Sequence, residues 1–285
     1  MRKILFVLSL LLTAPLAGCI DNASLDESPS GEEPAVVRIL TYDIAAFSES
    51  MFSTFTNQTG YEIEVVRADD AGGILEKLLQ TKDAPQVDLA IGLDNTYLQS
   101  ALDFNLLQQH QTDVTMVSST ALEPYDGPFA VPFDRGDVCL NYDETRVDGE
   151  NLTVPTSLWN LTESQWNGVM AYPSPLTSSP GRAFMAATID YFENDEDNTT
   201  DAFDWWKAIA ENGAIFTSGW TEAYETHYSG GYGEWVEGHI GDAAMTVSYC
   251  HSPGVEAFYT SNWTKSTSLT LPRATFHQVE YAAVV

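Results

Sequence analysis

The feature that most constrains the fold is an alternation of β-rich and helical patterns between residues 36 and 104. The β-rich runs lie at 36–42, 61–67 and 87–91, and helical patterns follow them at 45–59, 72–81 and 96–104. This order predicts a parallel sheet with helices on both faces. Because the carboxyl ends of parallel strands meet at one edge, we expect the polar residues after these strands to cluster along one rim.

A second set of patterns begins at residue 129. The β-rich runs lie at 129–134, 136–142, 168–172, 214–217, 242–249 and 277–285, and the helical patterns at 157–166, 182–192, 202–212, 221–237 and 255–260. Pro132, between the first two β-rich runs, suits a crossover between two lobes.

The stretch 216–254 combines the parts of a ligand cleft. A small-residue turn carries Trp220, an aromatic-rich helical pattern follows it, and a β-rich run ends at Tyr249. Ligands of α/β sheets bind beyond the carboxyl ends of strands, where both aromatic residues are expected. The alternative is that both belong to the hydrophobic core, as most Trp and Tyr residues do.

The amino terminus has the pattern of a secreted lipoprotein. A basic pair at 2–3, an apolar run at 4–12 and Leu-Ala-Gly-Cys at 16–19 predict a signal peptide over residues 1–19, with lipid attached to Cys19. Ser, Asp, Glu and Pro dominate residues 20–35, which predicts a flexible acidic tether. The folded part is therefore expected outside the cytoplasm, anchored to the membrane through lipid. An ordinary signal peptide with an incidental cysteine is the alternative.

The charge of the chain narrows the class of partner. With 41 acidic and 12 basic residues the formal net charge is −29, which argues against nucleic acid or an anionic membrane surface as a partner. It favours the approach of a cation, although most of these charges can equally serve as a solvated surface. The chain ends within an apolar run at 277–285, so we expect the carboxyl terminus to be incomplete.

Motifs for chemistry are sparse. The five histidines show no metal-ligand spacing, and the sequence contains neither a phosphate-cradling glycine loop nor a nucleophile elbow, so no metal or cofactor is predicted. Cys139 and Cys250 are compatible with a disulfide or with two buried thiols. Ser178, Ser179 and Gly181 lie at a helix start, where exposed N–H groups suit an anion or a hydroxyl, although a plain cap is more common.

Seven motifs carry a family resemblance. They are LTYD at 40–43, VDLAIGLDN at 87–95, VPFDRG at 131–136, SPLTSSPG at 174–181, TSGWTEAY at 217–224, VSYCHSP at 247–253 and HQVEYAA at 277–283. In this order they resemble the thiamine-binding periplasmic proteins of ABC transporters, over nearly all of the chain from residue 36. A tryptophan usual in that family shortly after the Tyr-Asp pair is missing here.

The resemblance implies a two-lobed type II periplasmic-binding-protein fold of the α/β class, with mostly parallel sheets flanked by helices and two hinge crossovers. We place one lobe at 36–130 plus 250–285 and the other at 131–249. The family's ligand-binding positions fall on Tyr42, Gly92, Asp94, Ser178, Trp220 and Tyr249. A monomer is expected, which captures thiamine or its phosphates and delivers them to an ABC permease without chemistry.

Physical chemistry adds roles to these positions. The three aromatic rings would attract the thiazolium cation of thiamine, and Asp94 or Asp43 would offset its charge. Ser178, Ser179 and the helix start at Gly181 would hold the hydroxyl or phosphate end.

Two other functions stay open from the sequence. The first is a thiamine-degrading enzyme on the same fold, with Cys139 as nucleophile and Asp134 or Glu222 as base. The second is a binder of another small cation or of ferric ion, although the adjacent tyrosine pair usual in ferric binders is missing.

Overall fold

The computed structural model describes residues 35–285 except 44, 46, 150 and 195–200. The predicted signal peptide with Cys19, and the tether up to residue 34, lie outside the described residues and stay predictions. Among the described residues, no helix combines the length and apolar character that crossing a membrane requires.

Nine strands and seven α-helices are found in the described parts of the chain. The strands are β1 (Val36–Tyr42), β2 (Glu62–Ala68), β3 (Leu89–Asp94), β4 (Val131–Asp143), β5 (Met170–Pro173), β6 (Ile215–Thr217), β7 (Met245–Tyr249), β8 (Ser266–Leu269) and β9 (Phe276–Val284). The helices are α1 (Glu49–Thr59), α2 (Ala71–Gln80), α3 (Leu98–Asp103), α4 (Ser119–Leu122), α5 (Ser179–Glu193), α6 (Ala202–Glu211) and α7 (Ser252–Tyr259).

All nine strands form one mixed sheet in the order β2-β1-β3-β9-β4-β7-β5-β6, with β8 paired to β4 off this path. The strands β1, β2 and β3 are parallel, as the sequence predicts. So are β5, β6 and β7. Each group therefore gathers its carboxyl ends at one edge, and the predicted rim after the first three strands is confirmed.

Two long antiparallel strands join these groups. The 13-residue strand β4 pairs with β9 through its first half and with β7 through its second half. It replaces the two separate runs predicted at 129–134 and 136–142, and its register shifts between Pro132 and Asp134. Strand β9 also pairs with β3, so β4 and β9 are the two crossovers of a two-lobed fold.

The hydrophobic interior consists of two main clusters on either side of these crossovers. The first core combines β1, α2, β3 and α3 with residues of β9, including Leu40, Ile74 and Tyr281. The second core combines β4, β5, α5, α6 and β7, including Trp205. Leu271 and Ala274 pack in the second core, although the sequence-based division assigns residues 250–285 to the first lobe. The lobe boundaries themselves stay a prediction.

Two predicted helices take other forms. The pattern at 157–166 forms two short 3-10 turns, Leu158–Thr162 and Ser164–Trp166. The helix predicted at 221–237 is wrong as one element, because the segment forms a short π-helix, Glu222–His227, and a separate 3-10 helix, Tyr232–Trp235. Between them Tyr228 bridges to Ala243 as an isolated strand pair. This long-range backbone pairing interrupts the local helical preference.

Cys139 and Cys250 form a disulfide, which decides between the two states that the sequence left open. The bond ties the middle of β4 to the residue that follows β7, where these two strands already pair in antiparallel register. It therefore fixes the turn directly after Tyr249.

Candidate functional site

A cavity of about 1580 Å³ lies where the carboxyl ends of the two parallel strand groups face each other. From the first group it is lined by Tyr42, at the end of β1, and by Asp69 and Asp70, after β2. From the second group it is lined by Trp220, after β6, and Tyr249, at the end of β7. A ligand of an α/β protein is expected beyond the carboxyl ends of the strands. In this molecule that position is a cavity lined by both halves.

Each of the three predicted aromatic residues is held in place by a neighbour. The Trp220 ring stacks on Tyr224 with centroids 4.8 Å apart, and its Nε1 donates to Ser248 Oγ at 2.8 Å. The Tyr249 ring stacks on His251 with centroids 5.4 Å apart. Neighbouring side chains already fix both rings. Little conformational entropy of the rings is therefore lost when a flat ligand binds against them.

Gly92 positions the third ring. Its φ of +107° is in the region that favours glycine, and a Cβ at this position would lie 2.5 Å from the Tyr42 ring. Gly92 does not line the cavity, and its contact with Tyr42 explains why a side chain is excluded there.

The start of α5 is a capped helix terminus beside the cavity. Ser178 and Ser179 line the cavity and are buried, and Ser178 Oγ accepts from the Gly181 N–H at 3.4 Å. A Cβ on Gly181 would lie 2.3 Å from the Pro173 carbonyl oxygen, so Gly181 allows α5 to pack against the end of β5. Gly181 itself is not among the residues that line the cavity.

The two predicted carboxylates lie away from the cavity surface. Asp43 is exposed, and its backbone carbonyl accepts from Arg67 Nη1. Asp94 is fully buried, and its Oδ1 accepts from the backbone and the hydroxyl of Thr96, both at 2.6 Å. Burial raises the pKa of Asp94 even though these hydrogen bonds lower it. Neither aspartate lines the cavity, and their part in binding stays a prediction.

The acidic residues that line the cavity include Asp70, Asp134, Glu222 and Glu280. Sequence reasoning assigned none of them to ligand binding, although it named Asp134 and Glu222 as candidate bases of an enzyme. Burial raises the pKa of Asp70 to about 6 and is the main cause that raises the pKa of Glu280 to about 8. The signal for Glu280 was available, because Gln278 and Glu280 are the two polar residues on one face of a strand whose same-face neighbours are apolar.

The two halves touch along one side of the cavity. The Gly72 N–H donates to the Thr177 carbonyl at 3.0 Å, and Tyr97 Oη donates to the Leu176 carbonyl at 3.2 Å. The Arg182 guanidinium lies 4.5 Å from the centre of the Tyr97 ring. These contacts bring the α2 and α5 helix starts together across the cavity.

The candidate nucleophile of an enzyme is not accessible in this structure. Cys139 is fully buried and its sulfur is bonded to Cys250. Of its candidate bases, Glu222 accepts from the backbone and the hydroxyl of Ser218 at 2.7 and 2.6 Å. Within the described residues, His, Cys, Asp and Glu side chains form no group of three suited to a metal ion.

Comparisons of the chain with known proteins find solute-binding proteins. The family described as bacterial extracellular solute-binding protein matches residues 50–255. The thiamine-binding periplasmic protein of Escherichia coli (strain K12) is 25% identical over 242 residues, which cover 84% of this chain and 67% of that protein. The thiamine-binding periplasmic protein of Salmonella typhimurium is 26% identical over 236 residues, or 79% of this chain and 63% of that protein.

A solved structure of a periplasmic thiamin binding protein shares the fold. It superimposes with a TM-score of 0.70 at 24% identity, over 90% of this chain and 74% of that one. These matches confirm three predictions: the family resemblance inferred from the seven motifs, the two-lobed fold, and the solute-binding class. The matched proteins are binding proteins by name, and none of these three is named as an enzyme.

Proposed function

Because this chain belongs to the bacterial extracellular solute-binding proteins, we propose that it captures thiamine or a thiamine phosphate in the cavity between its halves. It then delivers the ligand to an ABC permease. The proposal takes its ligand from the names of the two curated relatives and its site from the geometry of this chain.

One observation carries the proposal: three fixed aromatic rings, Tyr42, Trp220 and Tyr249, line a single cavity that also contains several carboxyl groups. Thiamine has two flat rings, an aminopyrimidine and a permanently charged thiazolium, joined by a methylene group. An aromatic face attracts such a cation by ~0.5–2 kcal/mol once water is excluded. Carboxylates at the same cavity oppose entry of anions and favour a cation.

The opposite end of the ligand has a candidate site at the start of α5. Ser178 and Ser179 line the cavity there, and Arg182, one turn further on, also lines it. A hydroxyl or phosphate group is favoured by helix-terminal N–H groups and by a guanidinium. We therefore place the thiazolium near the rings and the hydroxyethyl or phosphate end near α5.

We further propose that the protein is a lipid-anchored binder that leaves its ligand unchanged. The lipobox-like sequence ending at Cys19 supports the anchor, and the buried, disulfide-bonded Cys139 argues against a thiol nucleophile. Incubation with thiamine, followed by chromatography of the intact vitamin, tests the second point. Loss of the vitamin that Cys139→Ala abolishes would contradict it.

Titration calorimetry of the full-length protein with thiamine and thiamine monophosphate tests the ligand. We expect saturable binding of one molecule per chain. A mass spectrum of ligand co-purified under native conditions should show thiamine or a phosphate ester of it. Absence of binding by both compounds up to millimolar concentration would overturn the proposal.

A further inference from the structure

Three acidic residues lie side by side across the crossover region of the sheet. In the strand register, Glu280 on β9 is the direct partner of Asp94 on β3 and also of Asp134 on β4. Directly opposed residues of antiparallel strands share one face, and like charges placed there are destabilising. Such a row needs a compensating positive charge or a proton.

Built-in compensation is lacking in the described part of the chain. No ion pair joins a Lys, Arg or His side chain to Asp94, Asp134 or Glu280 there. Glu280 itself is 8% exposed and still lines the cavity. Its side chain therefore reaches the cavity, and its carboxyl group has no ion-pair partner among the described residues.

The polar groups around Glu280 are arranged for an additional partner. Tyr42 Oη donates to Glu280 Oε2 at 3.1 Å, and Gln278 Nε2 lies 3.2 Å from Glu280 Oε1 and 3.0 Å from Tyr249 Oη. Gln278 is 1% exposed and lines the cavity. Its Oε1 has no hydrogen-bond partner among the described residues, although a buried amide oxygen normally has one.

Two of the predicted aromatic residues are thus connected to this carboxyl group. Glu280 bonds directly to Tyr42 and through Gln278 to Tyr249. A flat cation between the two rings would meet the carboxylate at its edge and could also donate to the free oxygen of Gln278. We propose that Glu280 selects a cationic ligand and releases its proton to solvent when the cation binds.

The proton balance follows from the surroundings of Glu280. Burial raises the pKa of its carboxyl to about 8, and the charges of Asp94 and Asp134 add to this, while hydrogen bonds from Tyr42 and Gln278 lower it. The free protein therefore holds the proton at pH 7. On binding, the carboxyl O–H bond breaks, the proton passes to the buffer, and the carboxylate pairs with the cation.

Titratable groups near Glu280 must be considered when its loss of a proton is measured as a function of pH. Burial raises the pKa of both Tyr42 and Tyr249, so these tyrosines stay protonated. Burial also raises the pKa of Asp70, on the same cavity, to about 6, so Asp70 is ionised above pH 7. Asp134 and Arg67 also lie close enough to affect the pKa of Tyr42, in opposite directions, and the His251 ring stacks on the Tyr249 ring.

The inference rests on the proposed function only in taking this cavity as the ligand site. Calorimetry at pH 7 in two buffers of different ionisation enthalpy should show release of close to one proton per bound thiamine. The affinity should rise about tenfold between pH 7 and pH 9 and then level off. Thiochrome, a neutral oxidised derivative of thiamine, should bind without proton release.

Two variants test whether the proton release and the pH dependence of binding come from Glu280 or from the overall negative charge of the protein. Glu280→Gln should abolish the proton release and flatten the pH profile, and weaken thiamine binding about tenfold or more at pH 9. It should leave thiochrome binding within about twofold. The matched control is Glu62→Gln, an exposed strand glutamate on β2, which should keep wild-type proton release. The proton count of the wild-type protein tests the inference even if Glu280→Gln does not fold.

The possible outcomes distinguish the two proposals. If thiamine fails but choline or spermidine binds with proton release that depends on Glu280, the proposed ligand is wrong and the inference stands. If thiamine binds without proton release and Glu280→Gln binds it equally well, the inference is overturned and the proposed function stands. If none of these three cations binds, both are overturned.

Discussion

Two aromatic regions of the second half of the molecule look alike in sequence but differ in their surroundings. In the second core, Tyr172 at the end of β5 packs edge-on against Trp205 and Trp206, with centroids 6.3 and 5.3 Å apart. On the cavity wall, Tyr249 at the end of β7 lies beside Gln278 and the ionisable group of Glu280. In this molecule the amide and carboxyl side chains beside the rings, not the aromatic content, distinguish the cavity wall formed by Tyr42, Trp220 and Tyr249 from the core.

The largest effect is expected in the core. Trp205 is fully buried, and its Nε1 donates to the Leu158 carbonyl at 2.9 Å. Trp205→Ala should reduce the free energy of unfolding by ~3–5 kcal/mol, because it leaves a cavity and an unpaired carbonyl. Urea unfolding followed by circular dichroism measures this. A decrease in the free energy of unfolding below ~1 kcal/mol would contradict the assignment of Trp205 to a packed core distinct from the cavity wall.

Gly92 tests how the wall is shaped. Gly92→Ala should lower stability by ~2 kcal/mol or more and weaken thiamine binding, because its Cβ would lie 2.5 Å from the Tyr42 ring. Gly60→Ala is the matched control, with a φ of +78° and no atom within 4 Å of the added Cβ. It should cost ~1 kcal/mol from backbone strain alone. Equal losses in binding for both variants would contradict the positioning role of Gly92.

Trp220 tests the wall itself. Trp220→Ala should weaken thiamine binding roughly tenfold or more, which corresponds to about 1.4 kcal/mol, through loss of an aromatic face. Phe203→Ala, on an exposed position of α6, serves as the control and should bind thiamine as the wild type does. Calorimetry measures both. Unchanged affinity in Trp220→Ala would show that the assigned wall is not the ligand site.

The smallest effect concerns the acidic lining. Burial raises the pKa of Asp70 from 3.8 to about 6, so the folded state holds this proton more tightly than the unfolded state. Asp70 therefore lowers stability as the pH rises through that interval. Asp70→Asn keeps a capping side chain for α2 and should gain stability relative to wild type over the same interval, by less than ~1 kcal/mol after solvent screening.

Unfolding midpoints in urea at pH 4 and pH 7 measure the effect of Asp70→Asn. The relative stability of the variant should be greater at pH 7 than at pH 4. The reverse order would mean that the carboxyl of Asp70 is stabilised as the anion.

The sequence predicted much of the fold because strand patterns are local. The runs that became β1, β2 and β3 are β-rich over a few residues, and the helix start at Ser178 follows from its capping side chain and Pro180. The helix predicted at 221–237 was wrong because Tyr228 pairs with Ala243. That pairing depends on residues outside the local pattern.

The same dependence on distant residues explains why the sequence placed some candidate site residues at the cavity and not others. Trp220 and Tyr249 were identifiable as candidates because Trp220 follows a β-rich run and Tyr249 ends one, and the carboxyl ends of parallel strands face ligands. Asp94 also follows such a run, yet its carboxylate turns inward and caps Thr96. The direction of a side chain at a strand end depends on its neighbours in space, which periodicity does not contain.

By itself, the sequence determined the order of strands and helices, the gathering of strand ends at a rim and the aromatic residues placed there. Each depends on a period of two or of 3.6 residues, or on a capping side chain, within one segment. Only the tertiary structure decided that Asp94, Glu280 and Asp134 stand in one row and that Cys139 joins Cys250. Strand register across distant segments sets those neighbours, and it arises from burial of the whole sheet.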